Sequence, residues 1–398
     1  MPETSKRYWR IALPEKRIAI IGASYLQNPL ILKAKELGYE THVFAWECGD
    51  IGEKTADYFY PISIIEKERI LSKCREIGID GVCSIGSDLA NTVVSYIASS
   101  MGLVSNTIEA TRLSTDKHAM RDAFEKNGDP SPKSMVVDKG FCLVDSGLQF
   151  PIIVKPADRS GSRGITKLES ADRFEEAVER AKSESFSGVV LAEEFFQGNE
   201  YSVEYISWKG KHYFLSITEK FTSGAPMFIE KGHLEPARVS ASIEMKVKCV
   251  VEHALDGLGV EYGASHSELK INEDGEIAII EIGSRMGGDR IGSDLVSLST
   301  GYDFVASVVA VAMGQCPALP EIEERKYAAI RYIFDNKDLS ALDALKKNAP
   351  NLLLEADVSG FGEHAIVDSS SRFGYFMMCA DSIADLSPYL PDHSEEGL

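Results

Sequence analysis

No two of the seven cysteines are spaced as CxxC, and their number is odd. Cys48, Cys74, Cys83, Cys142, Cys249, Cys316 and Cys379 therefore suggest neither a disulfide framework nor a zinc site. Scattered free thiols fit a reducing, cytoplasmic setting. Long apolar runs are missing too. The longest, FVASVVAVAMG (304–314), falls well short of the ~20 residues that span a bilayer and reads as a buried helix. The opening MPETSKRYWR has no apolar stretch of signal-peptide type. Positive charge is in deficit: 42 lysines and arginines stand against 61 acidic residues, a net charge of −19. That argues against nucleic acid or an anionic membrane as the main partner. It leaves room for a small phosphate ligand, which needs only a local cluster of donors. Two familiar nucleotide fingerprints are also absent. GASYLQ (22–27) lacks the GxGxxG spacing, and no GxxxxGK[ST] occurs. There are no internal repeats and no low-complexity segment.

What is there is a chain of 398 residues with 44% hydrophobic and 26% charged content, a globular composition long enough for two or three domains. The first hundred residues alternate strand and helix. RIAIIGAS (17–24), THVFAW (41–46) and GVCSIG (81–86) read as strands. PLILKAKELG (29–38), EKERILSKCREIG (66–78) and LANTVVSYIASSMG (89–102) read as helices. This rhythm predicts a parallel sheet covered on both faces. A helix is expected over 114–128, capped by Ser114 or Thr115, and a charged helix over 170–185. From Arg325 the pattern changes to a short α+β tail with a strand at 372–380.

Three stretches carry chemistry. In IVKPADRSGSRGI (153–165), Lys155 ends an apolar strand and a Ser/Gly-rich loop follows. Glycines let backbone N–H groups approach a phosphate, and the lysine supplies charge. Taken alone, a hairpin turn with a solvated lysine accounts for it equally well. VVLAEEFFQGNEYSVE (189–204) puts Glu193, Glu194, Phe195 and Phe196 after an apolar strand, then Glu200. Carboxylates beside aromatics can hold a purine edge and a ribose hydroxyl, and a surface hinge with a core aromatic is the plainer alternative. Third, Asn272–Gly275 (NEDG) is a good hairpin turn between two apolar strands. The midpoint of 268 and 281 falls in that turn, so Glu268 and Glu281 should face each other across the ladder. Like charges there repel unless a cation lies between them, and Mg²⁺ takes one or two carboxylates plus phosphates.

The order of these pieces resembles one family, the ATP-grasp carboxylate–amine ligases. The matching stretches are TDKHAMRDAFEKNGDPSP, IVKPADRSGSRGI, LAEEFFQGNEYSVE, HSELKINEDGEIAIIEIGSRMGGD and STGYDFVASVVAVAMG. They cover roughly residues 15–320. The resemblance implies an α/β chain, α+β in its ATP-grasp part: a pre-ATP-grasp parallel-sheet domain (1–112), a small subdomain with a glycine-rich lid (113–190), a large subdomain with the metal site (191–322) and a small C-terminal α+β subdomain (323–398). It implies ATP and Mg²⁺ as cofactors, with Mn²⁺ as an alternative. Lys117 and Lys155 would meet the ATP phosphates under a loop of Ser160, Gly161, Ser162 and Gly164. Glu193, Glu194 and Phe196 would line the adenine pocket, and Glu200 would bind the ribose. Glu268 and Glu281 would hold the metal, and Arg285 the transferred phosphoryl group. One departure stands out: Gly283 and Ser284 occupy the places where many members carry a metal-binding Asn.

ITEKFTSGAPMFIEKGHLEPA (217–237) and the stretches GASHSE and EIGSRMGG look most like the L-amino acid ligase (dipeptide synthetase) branch. By that resemblance Glu230 would read a substrate ammonium, and Arg285 with the Gly287 and Gly288 amides would lie near the acyl phosphate. His233 and His266 would border the substrates. A turn cap and a structural strand residue are the plainer readings of the two histidines. The expected partners are a small carboxylate and an amine, with no nucleic acid and no membrane, and homodimers are common in the family. The alternatives kept open are a phosphoribosylamine–glycine ligase-like or biotin carboxylase-like enzyme, a non-catalytic ATP-binding regulator and, weakest, a dinucleotide oxidoreductase.

Overall fold

The structure, a computed structural model, describes residues 16–393 apart from 160, 162, 323, 324, 363, 365 and 367. Four parallel strands open the chain: β1 (Arg17–Ile21), β2 (Glu40–Ala45), β3 (Tyr58–Pro61) and β4 (Gly81–Cys83), in the order β3-β2-β1-β4. Between and after them run α1 (Asn28–Glu36), α2 (Ile51–Thr55), α3 (Lys67–Ile77) and α4 (Asp88–Met101). Both faces of β1 are buried. Ile18 and Ile20 pack with Leu30 and Ile31 of α1, while Ala19 and Ile21 pack with Ile70 of α3 and Val93 and Ile97 of α4. A continuous apolar run is what a doubly covered parallel strand needs.

Two helices, α5 (Ile108–Leu113) and α6 (Lys117–Asn127), lead out of this sheet. The cap of α6 differs from the sequence reading. Asp116, not Ser114 or Thr115, accepts the free amides of His118 and Ala119. Ser114 instead closes α5 and bonds back to the Ala110 carbonyl. A small antiparallel sheet follows, made of β5 (Ser134–Val136), β6 (Ile152–Pro156), β7 (Thr166–Leu168) and β8 (Val190–Glu194), ordered β5-β8-β6-β7 and backed by α7 (Phe174–Glu184).

The large sheet has eight strands. β9 (Asn199–Trp208), β10 (Lys211–Thr222), β11 (Glu230–Glu235), β12 (Tyr262–Ile271) and β13 (Ile277–Gly283) form one side. β14 (Tyr327–Tyr332), β15 (Leu353–Val358) and β16 (Gly374–Ala380) complete the order β13-β12-β9-β10-β11-β14-β16-β15. The C-terminal strands thus extend the sheet that carries the site. Helix α8 (Ala241–Leu258) covers one face through Val247, Val251 and Leu255, packed with Tyr201, Val203 and Tyr205 of β9. The neighbouring residues Glu200, Ser202 and Glu204 alternate to the other face. A five-residue π-helical turn (Ile291–Leu295) and α9 (Val296–Thr300) lead into α10 (Phe304–Ala312). That helix packs onto the N-terminal sheet, where a Cβ at Gly81 would lie 2.6 Å from the Ala312 carbonyl oxygen. The longest apolar run is therefore a core helix packed between the N-terminal sheet and the large sheet. Among the described residues, no helix is long and apolar enough to cross a membrane. Helices α11 (Asn336–Asn348) and α12 (Ile383–Leu386) complete the C-terminal part.

Candidate functional site

Strands β12 and β13 pair antiparallel around Asn272–Gly275, with His266 opposite Gly283 and Glu268 directly opposite Glu281. Strand β9 lies on the other side of β12 and sets His266 opposite Glu204, Glu268 opposite Ser202 and Lys270 opposite Glu200. Strand β10 then sets Lys220 beside Glu200. One face of four strands thus carries alternating carboxylates and bases in register.

Each facing carboxylate has a lysine. Lys117 Nζ, from the first turn of α6, lies 2.7 Å from Glu281 Oε1, and Lys220 Nζ lies 2.8 Å from Glu268 Oε1. Burial works against the charge on Glu268, but Lys220 beside it holds the carboxyl well below its usual range. Burial likewise opposes the charge of Lys117, and the Glu281 carboxylate more than restores it, raising the amine above its usual value. Oxygen donors of this kind suit a hard divalent cation, which takes its remaining ligands from water and phosphate. Among the described residues, no cluster of three or more His, Cys, Asp and Glu could hold a metal. The pair fits Mg²⁺ shared with a phosphate ligand and does not fit a closed protein cage. Ser284 is no substitute third ligand. It is buried, and its hydroxyl accepts from Asn91 Nδ2 at 3.0 Å and from Ser114 Oγ at 2.6 Å.

Arg285 leaves β13 just past the turn and is gripped by Asp88 at the start of α4, at 2.7 and 3.2 Å. That carboxylate raises the already high pKa of the guanidinium against the burial that opposes its charge. Lys155, on β6, pairs with Glu193, which also accepts from Arg121 Nε at 2.9 Å and Nη2 at 3.2 Å. Burial pushes the Lys155 pKa down, and Glu193 offsets it only in part. Glu193 has the opposite balance: burial opposes its charge, but the Arg121 and Lys155 cations win and bring its pKa to about 2.

Between the small and large sheets lies a cavity of 130 Å³. Lys155, Glu193, Glu194, Phe196 and Glu200 border it on the hinge side. Lys220, Glu230 and Glu268 border it on the large sheet. Both hinge phenylalanines line it, and the Phe195 ring lies 4.3 Å from Lys167 Nζ and 4.2 Å from Lys270 Nζ. The Glu193 oxygens are spent on two cations, so this residue acts on a ligand through where it holds Lys155. Gly161 and Gly164 have φ of +71° and +72°, which L-residues rarely adopt. Ser160 and Ser162 lie outside the described residues.

Not every substrate residue expected from the sequence borders a cavity. His233 is wholly buried, 0% exposed, behind Asp289, with its Nε2 3.9 Å from Asp289 Oδ2. His266 is buried between Glu204 and Glu268. His266 is covered by the loop at Gly287, where a Cβ would lie 2.6 Å from its Nδ1. Gly287 and Gly288 border a separate 240 Å³ cavity with Tyr25, Leu26 and Arg290. Glu230 connects to that side through its backbone carbonyl, which accepts from Arg372 Nη1 at 3.2 Å. The same Arg372 grips Asp289 at 2.9 and 3.0 Å. The Glu230 side chain accepts from Ser369 Oγ at 2.7 Å.

Sequence reasoning missed Asp88, Arg121, Glu204, Lys220, Asp289 and Arg372. Lys220 and Glu204 left a signal: each is an ionisable residue inside an apolar-alternating strand, where an uncompensated charge is costly. Asp88 looked like an ordinary first-turn acid of α4, and nothing local marks it as the partner of a residue 197 positions away.

A glycine-containing turn on a small antiparallel sheet, beside a larger sheet with two opposed glutamates, is the arrangement of the ATP-grasp fold. Residues 148–294 match the ATP-grasp domain model. Among relatives, the alanine–anticapsin ligase of Bacillus subtilis (strain 168) is 26% identical over 245 residues, 56% of this chain and 51% of that protein. The chain spans about half the length of the curated relatives it matches. Its fold is shared with the L-amino acid ligase of Bacillus licheniformis, with a TM-score of 0.77 and 21% identity over 94% of this chain and 96% of that one. It is also shared with N5-carboxyaminoimidazole synthetase of Staphylococcus aureus, solved with ADP, with a TM-score of 0.75 and 16% identity over 94% and 95%.

Proposed function

We propose that the protein is an ATP-dependent, ADP-forming ligase that joins the carboxylate of an amino acid to an amine through an acyl phosphate. The observation that carries this reading is the pair Glu268 and Glu281, opposed across one ladder and flanked by Lys117, Lys220 and Arg285. ATP is the expected nucleotide, with its base in the acidic–aromatic cavity and its phosphates towards Lys155 and Lys117. Mg²⁺, or Mn²⁺ in its place, would supply charge neutralisation between the two glutamates and the phosphates. A substrate carboxylate oxygen attacks the γ-phosphorus, the bond to the bridging oxygen breaks, and ADP leaves. The amine then attacks the acyl carbon and expels phosphate as it loses a proton. Such chemistry needs positioning and cations more than a protein nucleophile. Arg285 lies past the end of β13, where it can turn from Asp88 to the transferred group. The glycine loop excludes water that would hydrolyse the acyl phosphate.

An amino acid acceptor suits the second cavity better than a sugar phosphate does. Among the described residues bordering the space beside Gly287 and Gly288, Arg290 is the one cation. Its guanidinium is already bonded to Glu355 at 3.2 and 3.3 Å and to Tyr375.

The test is incubation with Mg-ATP and pools of amino acids, following phosphate release and product masses. A productive pool should release one phosphate per condensation product, a mass one water below the sum of its parts. Release with phosphoribosylamine plus glycine or with bicarbonate, and none with any amino acid pool, would overturn the substrate assignment. Nucleotide binding without turnover on any carboxylate would make the protein a regulator.

A further inference from the structure

Glu204 is the carboxylate that the proposed chemistry does not use. It is 0% exposed in the middle of β9, directly opposite His266. A buried carboxylate persists only where it is fully employed. Glu204 Oε1 bonds the His266 Nδ1, and its Oε2 lies 3.4 Å from the Gly287 amide, which donates to it. The other ring nitrogen of His266 lies 3.4 Å from Glu268 Oε1. Lys220 Nζ meets that same Oε1 from β10 at 2.8 Å. Both contacts fall on one oxygen, which fixes how the Glu268 carboxylate is turned. The loop at 287 lies directly on the pair. A Cβ there would sit 2.6 Å from His266 Nδ1 and 3.1 Å from Glu204 Oε1, so only glycine fits.

We propose that Glu204 is a positioning residue that, through His266, orients the Glu268 carboxylate for metal and, through the Gly287 amide, ties the substrate-side loop to that orientation. This rests on the reading of Glu268 as a metal ligand. Residues that orient ligating groups typically change metal affinity by 10–100-fold when removed. A carboxylate that merely filled space would not.

The test measures Mn²⁺ binding to the ADP-loaded full chain by electron paramagnetic resonance. ADP binding in the presence of a chelator and thermal unfolding are measured alongside. Glu204→Ala should weaken Mn²⁺ about 10-fold or more, with chelator-measured ADP affinity unchanged. Glu204→Gln, which keeps an acceptor for His266, should recover part of the loss. Gly287→Ala should reproduce the loss with Glu204 intact, because its Cβ displaces the pair. Glu268→Gln is the control. If it removes Mn²⁺ binding while folded Glu204→Ala and Gly287→Ala stay within twofold of native, the positioning role is wrong and the metal reading stands. If Glu268→Gln leaves Mn²⁺ binding intact, the metal reading itself is wrong, and this inference goes with it. Should Glu204→Ala not fold, Glu204→Gln and Gly287→Ala decide the question. A parallel fall of Mn²⁺ binding, ADP binding and stability in both would overturn the proposal in favour of a purely structural carboxylate.

Discussion

Replacing Glu281 by glutamine lowers ADP formation by about 10³-fold or more, the scale of losing one charge-stabilising group in phosphoryl transfer, and leaves the fold intact. The change is nearly isosteric, so the β12–β13 register that sets residue 281 opposite Glu268 survives. What goes is one of two negative charges facing the metal position, about 4 kcal/mol of transition-state stabilisation at 1.36 kcal/mol per decade. Lys117, 2.7 Å away, keeps an oxygen acceptor but loses the carboxylate that raises its pKa. The stability loss is smaller than for a fully buried pair, because the Glu281 side chain is 17% exposed and Lys117 keeps the Asp88 and Glu268 carboxylates nearby. The measurement is a coupled ADP assay with the productive substrate pair, beside a thermal melt. Turnover within tenfold of the native protein in a folded Glu281→Gln variant would refute its assignment to the metal.

Glu193→Gln acts on stability instead, and the expected loss is about 3–5 kcal/mol, the range for breaking a buried ion pair from one side. Glu193, Arg121 and Lys155 are 3%, 5% and 5% exposed. Glutamine leaves two buried cations facing a neutral amide. Lys155 can shed its proton, since burial already lowers its pKa. Arg121 cannot, and its remaining anchor is the Ile280 carbonyl at 2.8 Å. The pH dependence gives a second readout. The folded pKa of Glu193, about 2, lies below its ordinary 4.5. Its contribution is therefore full above about pH 4.5 and disappears as the pH falls towards 2. Urea unfolding across that window should show a shallower acid limb in the variant than in the native protein. An unchanged limb, or a loss below about 1 kcal/mol at neutral pH, would mean the cluster is not held together as described. The same variant should bind nucleotide more weakly, because Lys155 loses the partner that aims it along the cavity wall.

Much of the site was legible from spacing. The NEDG turn brings Glu268 and Glu281 close to the same level of the ladder, but it pairs Leu269 with Ile279, and only a bulge between Glu268 and Leu269 sets Glu268 directly opposite Glu281. The lysine at the end of β6 and the glycines after it needed no tertiary information, nor did the acidic–aromatic hinge between β8 and β9. Burial was not legible. His233 and His266 were expected beside the substrates only through resemblance, with a turn cap and a structural strand residue as the plainer readings. In the fold both are buried, His233 at 0% and His266 at 6% exposed. Ser284 showed the same limit from the other side: its position suggested a ligand, and Asn91 and Ser114 had already claimed its hydroxyl.

By itself, the sequence determined most elements, the order of the motifs and the hairpin's turn, while the bulge that aligns Glu268 with Glu281 came from the fold. What the sequence determined depends on residues a few positions apart, where backbone period and turn chemistry leave little choice. Only the tertiary structure decided which ion meets which. Asp88 reaches Arg285, Arg121 and Lys155 close on Glu193, and Glu204 works through His266. Those partners come from different sheets and helices. A buried charge specifies that it needs a counterion, and only the folded chain specifies which one arrives.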